Sequence, residues 1–231
     1  MPYIGLSCLQ INDYRRSPAE RNNALSAEAR RILSILADSP LDTTNTTDII
    51  ETIATDENGR PFFQNSNMDF SISHSGAAVA VSLVQGENIH GVKIKTGCDI
   101  QLIRHRKNLR NITEENFSAA ERDYIFSQDE TLFERLRFFQ IWTLKECYIK
   151  LRGLSVFDMP KVPSFISCDV ISSPCDAISF YLYELTFAGE RYMLATAIEN
   201  GNGICPEIRM FSQQEGNLGS PGFELYPVKN F

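Results

Sequence analysis

Residues 142–150, which read WTLKECYIK, lie in a stretch from Thr131 to Arg152 that contains neither glycine nor proline. Apolar side chains recur there at a spacing that returns to one side of a helix, at Leu132, Phe139, Trp142 and Ile149. The pattern predicts one amphipathic helix, and Glu146 falls within its apolar stripe. A carboxylate on a buried face needs a cation or hydrogen-bond donors, because an unpaired buried charge is strongly unfavourable. The partner of Glu146 is then either Lys150, one turn further along, or a metal ion.

A second pattern lies earlier in the chain. From Val92 to Leu102 apolar and polar residues alternate, which is the period of a half-buried β-strand. Asp99 and Gln101 then lie on the same face, with Cα atoms roughly 7 Å apart, because a strand advances about 3.3 Å per residue. Together with Glu146 they offer only oxygen ligands, which suits Mg²⁺. The sequence therefore predicts a magnesium site formed by Asp99, Gln101 and Glu146.

The composition is that of a globular protein with one large domain or two small ones. The chain has 231 residues, and 43% of them are hydrophobic, which is enough for a core. A net charge of -7 and a pI of about 5.1 argue against nucleic acid as a partner, since nucleic-acid binding needs a basic surface. Basic residues concentrate locally in the segment from Arg104 to Arg110.

The cysteines and the hydropathy pattern bear on the cellular setting. The six cysteines are scattered without a C-x-x-C pair, so we expect free thiols and no zinc site. The first ten residues do not combine a basic start with an apolar run, and the longest nearly apolar run, residues 77–84, is too short to cross a bilayer. We expect a cytoplasmic protein without a membrane partner.

The remaining segments predict further helices and two hairpins. A helix begins near Ser17 and Pro18, because serine can cap a helix and proline suits its first position. Another helix runs from Thr113 to Phe126, with Thr113 as its cap. Residues 70–84 and 180–198 have the pattern of β-hairpins, and the first has a polar tip at residues 73–75.

These motifs resemble those of the 4'-phosphopantetheinyl transferases of the Sfp type. That family carries a G-[IV]-D-[IV]-E strand motif, a W-x-x-K-E-[AS]-x-x-K helix motif and an earlier N-x-S-H-S-G turn. The corresponding segments here are residues 97–101, 142–150 and 71–76, in the same order and with similar spacing. The resemblance runs from about Arg21 to Ser155 and continues more weakly through the second hairpin.

The chain departs from the family pattern at several positions. Gln101 occupies the place of the glutamate in the strand motif, and it offers one neutral carbonyl oxygen where two anionic oxygens are expected. This change weakens the predicted metal site without abolishing it. Ser71 replaces the asparagine of the turn motif and Cys147 replaces the small residue of the helix motif, and both changes are mild.

The resemblance implies a fold. It predicts an α/β protein of the α+β kind, built as a pseudo-twofold pair of similar halves, each with a small, mainly antiparallel sheet against a long helix. We place the halves at residues 1–103 and 104–231, with the active site at their interface. Two fused halves complete one site, so the protein is expected to be a monomer.

The resemblance also implies an activity, the Mg²⁺-dependent transfer of 4'-phosphopantetheine from coenzyme A to a serine of an apo acyl or peptidyl carrier protein. Adenosine 3',5'-bisphosphate is released. The implied catalytic residues are Glu146, as general base, and Lys150, which holds phosphate oxygens. The implied metal ligands are Asp99, Gln101 and Glu146. The implied contacts to coenzyme A are Arg21, Arg60, Ser73, His74, Lys145 and Lys150.

Some of these residues also have plainer explanations. Arg21 corresponds to the basic residue that contacts the 3'-phosphate, but a solvated helix face explains it equally well and explains Arg30 and Arg31 better. Arg60 replaces the lysine of the family's G-K-P turn near the nucleotide and retains its charge. Glu121 could assist or orient a base, but an exposed helix glutamate explains it better.

Other functions fit the same residues. Glu146 and Lys150 could form only an i,i+4 ion pair on a surface helix. The chain could be a non-catalytic module that binds coenzyme A or a carrier protein and has lost turnover, since Gln101 replaces the motif glutamate, or it could be another Mg²⁺-dependent phosphohydrolase. The basic segment Arg104–Arg110 could dock an acidic carrier helix or be a solvated loop.

Overall fold

The computed structural model describes residues 2–9, 17–38, 53–64, 66–127, 131–187, 189–201, 203–211 and 224–231. The helices in these ranges are α1 (Pro18–Asp38), α2 (Leu109–Asn116), α3 (Ala119–Phe126), α4 (Thr131–Arg152) and a short 3-10 helix (Val156–Lys161). The strands are β1 (Tyr3–Cys8), β2 (Ile53–Thr55), β3 (Pro61–Phe63), β4 (Met68–Ser75), β5 (Ala78–Gln85), β6 (Lys95–Leu102), β7 (Ile166–Ser167), β8 (Val170–Ile171), β9 (Ile178–Phe187), β10 (Glu190–Glu199), β11 (Glu207–Phe211) and β12 (Glu224–Asn230).

Most of the strands belong to two four-stranded sheets. One has the order β11-β1-β5-β4 and the other the order β12-β9-β10-β6. Neighbouring strands in these sheets are antiparallel, except that β1 and β11 are parallel. The short strands pair as β2-β3 and β7-β8. The expected mixed α/β architecture is confirmed.

Each sheet packs against one long helix. Ile32 and Leu33 of α1 are fully buried in a cluster with side chains of β1, β4 and β5. Phe139 of α4 belongs to a second cluster, which includes side chains of β9 and β10. A third cluster contains Ile4 of β1 and Leu194 of β10, and it joins the two sheets. Burial of these apolar faces is the main favourable contribution to such a fold.

The predicted helix over residues 131–152 is confirmed, and it approaches β6 closely at Gly97. A Cβ atom on Gly97 would lie 2.5 Å from the carbonyl oxygen of Cys147 and 2.9 Å from the backbone nitrogen of Leu151. Glycine therefore lets the helix lie directly on the strand two residues before Asp99. This close contact brings the strand motif and the helix motif together.

The beginning of α1 is confirmed, whereas the helix predicted from Thr113 to Phe126 is wrong. The side chain of Ser17 accepts a hydrogen bond from the Glu20 N–H, and the Glu20 carboxylate accepts one from the Ser17 N–H. Residues 109–126 form two helices rather than one, because Ser118 caps α3 in a capping box with Glu121. Thr113 lies inside α2, and its hydroxyl donates to a carbonyl one turn earlier.

The sheets do not divide at residue 103, where we expected the boundary between halves. Strand β6 precedes that boundary but pairs with β10 in the sheet that also contains β9 and β12. Strand β11, from the other side of the boundary, returns to pair with β1. The expected boundary would therefore cut β6 away from its own sheet.

Both predicted hairpins are present, but the polar tip of the first one is not a tip. His74 and Ser75 are the last residues of β4, and the turn lies at Gly76 and Ala77, where Gly76 has a φ of +60°. The second hairpin joins β9 to β10 as predicted. The sequence also predicts a strand at residues 48–55, which falls within the described residues only from Ile53 onward, where it forms β2.

All six cysteines are free thiols, as expected. Among the residues that the structure describes, none of the helices combines the length and the apolar character needed to cross a membrane.

Candidate active site

A pocket of about 420 Å³ lies where α1, β4, β6 and α4 meet. Six residues that the sequence predicts as site residues line it: Ser73, His74, Asp99, Gln101, Glu146 and Lys150. The other described residues in its wall are Ser26, Ala29, Arg30, Ile53, Pro61, Phe70 and Ile72. Three motifs that are distant in sequence therefore contribute to one pocket.

Asp99 is the most connected acidic group of this pocket, and it is only 1% exposed. Its Oδ1 atom accepts a hydrogen bond from Ser73 Oγ at 2.7 Å and one from Lys150 Nζ at 2.7 Å. Its Oδ2 atom accepts a hydrogen bond from Gln101 Nε2 at 2.9 Å. Asp99 and Gln101 thus share one face of β6, as the alternation predicts. Three donors stabilise a carboxylate that is almost fully removed from water.

Glu146 lies on α4 one turn before Lys150, and both side chains line the pocket. Burial and the negative charge of Asp99 raise the pKa of Glu146 to about 7 from its ordinary value of 4.5. Lys150 and Arg106 act in the opposite direction. The carboxyl of Glu146 therefore exchanges its proton near neutral pH, which is the range suited to a general base.

Lys150 and His74 add hydrogen-bond donors beside the two acids. Burial lowers the pKa of Lys150, but the adjacent Asp99 carboxylate outweighs it and the pKa is raised overall, so Lys150 is a cation. Desolvation and the nearby ammonium of Lys150 lower the pKa of His74. His74 is therefore mainly neutral at pH 7 and can donate one N–H to an anion.

Alternate side chains of β4 hold the outer edge of β6 in place, and we call this set the β4 ladder. Each member accepts a hydrogen bond from a backbone N–H of β6: Asp69 from Thr96 at 2.9 Å, Ser71 from Cys98 at 3.1 Å, Ser73 from Ile100 at 3.2 Å and Ser75 from Leu102 at 2.9 Å. Ser73, which the family resemblance implies as a contact to coenzyme A, thus also joins two sheets. The period of two from residue 69 to residue 75 is the signal that could have revealed this.

The guanidinium of Arg60, which is an expected contact to coenzyme A, donates hydrogen bonds to several protein groups. Nε donates to the carbonyl oxygen of Lys150 at 2.9 Å, and one terminal nitrogen lies 2.8 Å from Asp69 Oδ2 and 3.2 Å from the Thr96 carbonyl oxygen. Arg60 therefore ties the β2-β3 turn to β4, β6 and the end of α4. It lines a neighbouring pocket of about 240 Å³ rather than the larger one.

The arginines of α1 also differ from expectation. Arg30, for which a solvated helix face was the better explanation, lines the pocket. Arg21, the expected phosphate contact, does not belong to the pocket wall. Arg31 forms a salt bridge with Glu28 at 2.8 Å. Nine residues separate Arg21 from Arg30, so the two side chains are two and a half helical turns apart along α1.

Lys145, another expected contact to coenzyme A, is buried in the core and is not part of the described pocket wall. Its ammonium is 1% exposed, lies 3.0 Å from Glu121 Oε2 and donates to the carbonyl oxygen of Asn116 at 3.1 Å. Glu121 is fully buried, so the expected exposed glutamate is wrong as well. Its other oxygen accepts the backbone N–H of Phe165 at 3.0 Å. Lys145 therefore stabilises the packing of α4 and supplies no charge to the pocket.

Arg106 lies near the acidic residues, and the sequence gave no sign of this. Its guanidinium carbon lies 5.3 Å from the centre of the Trp142 ring and 5.8 Å from that of Phe138. Trp142 lies one turn before Glu146, and the positive charge of Arg106 acts on the pKa of Glu146. Arg106 is thus half-buried on an aromatic surface of α4, and it is not simply part of a solvated basic loop.

The donor set fits a magnesium ion better than a transition metal. Among the described residues, no group of three histidine, cysteine, aspartate or glutamate side chains converges to hold a metal. The pocket instead offers two carboxylates, Asp99 and Glu146, and the side-chain amide of Gln101. Magnesium is commonly held by one or two carboxylates, with water and substrate phosphates as its other ligands. The two carboxylates repel each other, and a bound cation would reduce this repulsion.

Comparison with known proteins agrees with this arrangement. Residues 95–197 match the model of the 4'-phosphopantetheinyl transferase superfamily. The match runs from β6 through β10, so it includes Asp99, Glu146 and Lys150. The family resemblance is thereby confirmed, and the match contains the strand motif and the helix motif.

Several curated proteins that are similar to this chain are named 4'-phosphopantetheinyl transferases. A 4'-phosphopantetheinyl transferase AcpT of Salmonella typhimurium (strain LT2) is 34% identical over 122 residues, which are 52% of this chain and 58% of that protein. The AcpT of Escherichia coli (strain K12) is 33% identical over 124 residues, 52% of this chain and 57% of that protein. The 4'-phosphopantetheinyl transferase pptA of Paxillus involutus is 21% identical over 158 residues, 62% and 60% of the two chains. The chain thus spans a little over half the length of these relatives.

Proposed function

We propose that this chain transfers 4'-phosphopantetheine from coenzyme A to a serine hydroxyl of an apo acyl or peptidyl carrier protein. The observation that carries the proposal is the pocket to which Asp99, Glu146 and Lys150 all contribute, within the part of the chain that the superfamily model matches. Two acids and a cation in one pocket suit the handling of a diphosphate, whose negative charge has to be neutralised during transfer.

The pocket residues have separate roles in the reaction. The serine oxygen of the carrier forms a bond to the phosphorus of the phosphopantetheine group, and the pyrophosphate bond breaks to release adenosine 3',5'-bisphosphate. Glu146 accepts the proton of that serine as the general base. Lys150 and the neutral His74 donate hydrogen bonds to the phosphate oxygens.

Asp99 and Glu146 would hold Mg²⁺, with the carbonyl oxygen of Gln101 as a third ligand, and the bound ion would offset the negative charge of the diphosphate. The Gln101 amide nitrogen donates to Asp99, so its oxygen is the atom that is available for this contact. Gln101 thereby also holds the orientation of Asp99.

Arg30, rather than Arg21, is the proposed cation for the 3'-phosphate of coenzyme A. It lines the same pocket as Lys150 and His74, from the part of the wall formed by α1. Lys145 is no longer part of the coenzyme A contacts, because its ammonium pairs with Glu121 in the core. Arg60 is proposed to support the pocket through its bond to the Lys150 carbonyl oxygen.

We further propose that the fold consists of two related halves, with their boundary just before β6. The order β1-β5-β4 in one sheet corresponds to β6-β10-β9 in the other, and in each half a long helix lies between the first strand and the hairpin. The pocket draws one wall from α1 and β4 and the other from β6 and α4. A single chain supplies both walls, so we propose a monomer, and its molar mass in solution tests this.

The mass of a carrier protein tests the proposed function. We expect an apo carrier incubated with this protein, coenzyme A and Mg²⁺ to gain one phosphopantetheine group. Binding of coenzyme A without any gain in carrier mass would instead indicate a non-catalytic module, as the replacement of the motif glutamate by Gln101 would allow. Hydrolysis of coenzyme A with an unmodified carrier would indicate a phosphohydrolase.

A further inference from the structure

Ser73 differs from the other members of the β4 ladder because its hydroxyl donates a hydrogen bond to Asp99. Its Oγ atom accepts the backbone N–H of Ile100 at 3.2 Å and lies 2.7 Å from Asp99 Oδ1. An ionised carboxylate has no proton to give, so the hydroxyl proton of Ser73 must point to Asp99. The hydroxyl oxygen of Ser73 therefore accepts a hydrogen bond from the backbone of β6, and the hydroxyl donates its only proton to Asp99.

Ser71 provides an internal comparison. Both Ser71 and Ser73 are 5% exposed, and each accepts one backbone N–H from β6. Among the hydrogen bonds of the described residues, Ser73 is the ladder member that reaches Asp99. The two serines thus share a structural role in joining β4 to β6, and they differ in the contact to the acid.

The contact matters because Asp99 Oδ1 accepts two hydrogen bonds at once. Lys150 Nζ also lies 2.7 Å from this oxygen, while Gln101 donates to Oδ2. If the Ser73 hydroxyl is removed, Oδ1 loses the partner that the backbone of β6 holds in place, and the ammonium of Lys150 is left to orient it. Residues that hydrogen-bond to a metal ligand fix its orientation, and their loss typically weakens metal binding about 10- to 100-fold.

We propose that Ser73 is a positioning residue, which orients the Asp99 carboxylate for a divalent cation and does not itself hold a phosphate of coenzyme A. The proposal rests on the proposed function for the identity of the substrate, but not for the metal-binding readout. A phosphate ligand at Ser73 would have a different signature, since its loss would weaken the binding of coenzyme A even without metal.

The test compares Ser73→Ala with Ser71→Ala in the full chain. Mn²⁺ binding is followed by electron paramagnetic resonance, and coenzyme A binding is measured by calorimetry in the presence of EDTA. We expect Ser73→Ala to weaken Mn²⁺ binding about tenfold or more and to leave metal-free coenzyme A binding within about twofold of wild type. Ser71→Ala should retain the Mn²⁺ affinity of the wild type, and Ser73→Thr, which keeps the hydroxyl, should largely restore it.

Three results would overturn the proposal. They are an unchanged Mn²⁺ affinity in Ser73→Ala, an equal loss in Ser71→Ala, and a loss of metal-free coenzyme A binding in Ser73→Ala. If Ser73→Ala does not fold, Ser73→Cys takes its place, because the weaker thiol donor should still lower Mn²⁺ affinity while keeping the side-chain shape. A wild-type protein that modifies no carrier, but whose Mn²⁺ binding depends on Ser73 in this way, would refute the proposed function and leave this inference standing.

Discussion

The ammonium of Lys150 on α4 lies 2.7 Å from Oδ1 of Asp99 on β6, and this pair joins the helix to the strand at the pocket. Lys150 retains 29% exposure of its side chain, whereas Asp99 retains 1%. The negative charge of Asp99 is therefore stabilised mainly by protein groups such as Lys150, whereas water also stabilises the positive charge of Lys150. Removal of the cation leaves a buried acid with neutral donors only.

The first prediction concerns this pair. We expect Lys150→Met to lower the free energy of unfolding by roughly 2 kcal/mol in metal-free buffer, below the value for a fully buried pair because Lys150 is partly solvated. Added Mg²⁺ should recover part of the loss, since a divalent cation can replace the missing charge at Asp99. Urea unfolding with and without Mg²⁺ measures both effects.

Lys161 provides the control, because its pair with Asp158 is on the surface, with 79% of the lysine side chain exposed. Lys161→Met should leave the free energy of unfolding nearly unchanged, with or without Mg²⁺. Similar losses in the two lysine variants, or a Lys150→Met loss that Mg²⁺ does not reduce, would contradict the prediction.

The second prediction follows from the pKa of Glu146, which burial and Asp99 raise from 4.5 to about 7. Between these values the folded protein binds more protons than the unfolded chain, so the free energy of unfolding falls as the pH rises through this window. The shift corresponds to about 3 kcal/mol by linkage, and partial exposure of Glu146 reduces this to roughly 1–2 kcal/mol. Glu146→Gln should remove this part of the pH dependence.

Chemical unfolding of the wild type and of Glu146→Gln at pH 5 and pH 8, in EDTA, measures this difference. Groups that do not interact with Glu146 also titrate in this range, and their contribution cancels when the variant is subtracted from the wild type. A variant whose stability falls with pH as steeply as that of the wild type would mean that Glu146 is not the titrating group.

The site could be predicted from the sequence where local periodicity determines which way a side chain points. The alternation around Asp99 and the helical spacing around Glu146 place each acid on a defined face, and the two faces meet because Gly97 allows close contact. The bounds of α4 follow from the same local pattern, together with the glycine that comes directly after it at residue 153.

Pairings between distant residues could not be predicted in this way. Arg60 bonds to the carbonyl oxygen of Lys150, which is 90 residues away in sequence, and no local pattern indicates such a contact. Lys145 adjoins Glu146 in sequence, yet successive helical residues are rotated by about 100°, so they face different surroundings. Its partner Glu121 looks like an ordinary surface residue of a polar helix until the fold buries it.

The third prediction distinguishes two arginines of α1. Arg30→Ala should weaken the binding of coenzyme A about tenfold, because the residue lines the pocket and a charged contact to phosphate is lost. Arg21→Ala, outside the pocket wall, should have little effect. Equilibrium binding of coenzyme A by the two variants is the measurement.

Dephospho-coenzyme A, which lacks the 3'-phosphate, provides the matching control ligand. If Arg30 contacts that phosphate, wild type and Arg30→Ala should bind dephospho-coenzyme A with similar affinity. An equal loss for both ligands would assign Arg30 to another part of the nucleotide, and a loss only in Arg21→Ala would restore the assignment made from the family resemblance.

The last prediction separates a packing role of Lys145 from a role in the pocket. Lys145 and Glu121 are 1% and 0% exposed, so Lys145→Met leaves an uncompensated buried carboxylate and should cost about 3–5 kcal/mol of unfolding free energy. In the double variant Lys145→Met with Glu121→Gln, part of this loss should return, because the amide is neutral and its oxygen can still accept the Phe165 N–H. Denaturant unfolding of the two variants measures the difference.

Coenzyme A binding separates the packing role from a role in the pocket. At a temperature where both variants are folded, their affinity for coenzyme A should equal that of the wild type, since the ammonium of Lys145 points away from the pocket. A stable Lys145→Met protein with weakened coenzyme A binding would show instead that this lysine turns toward the phosphates.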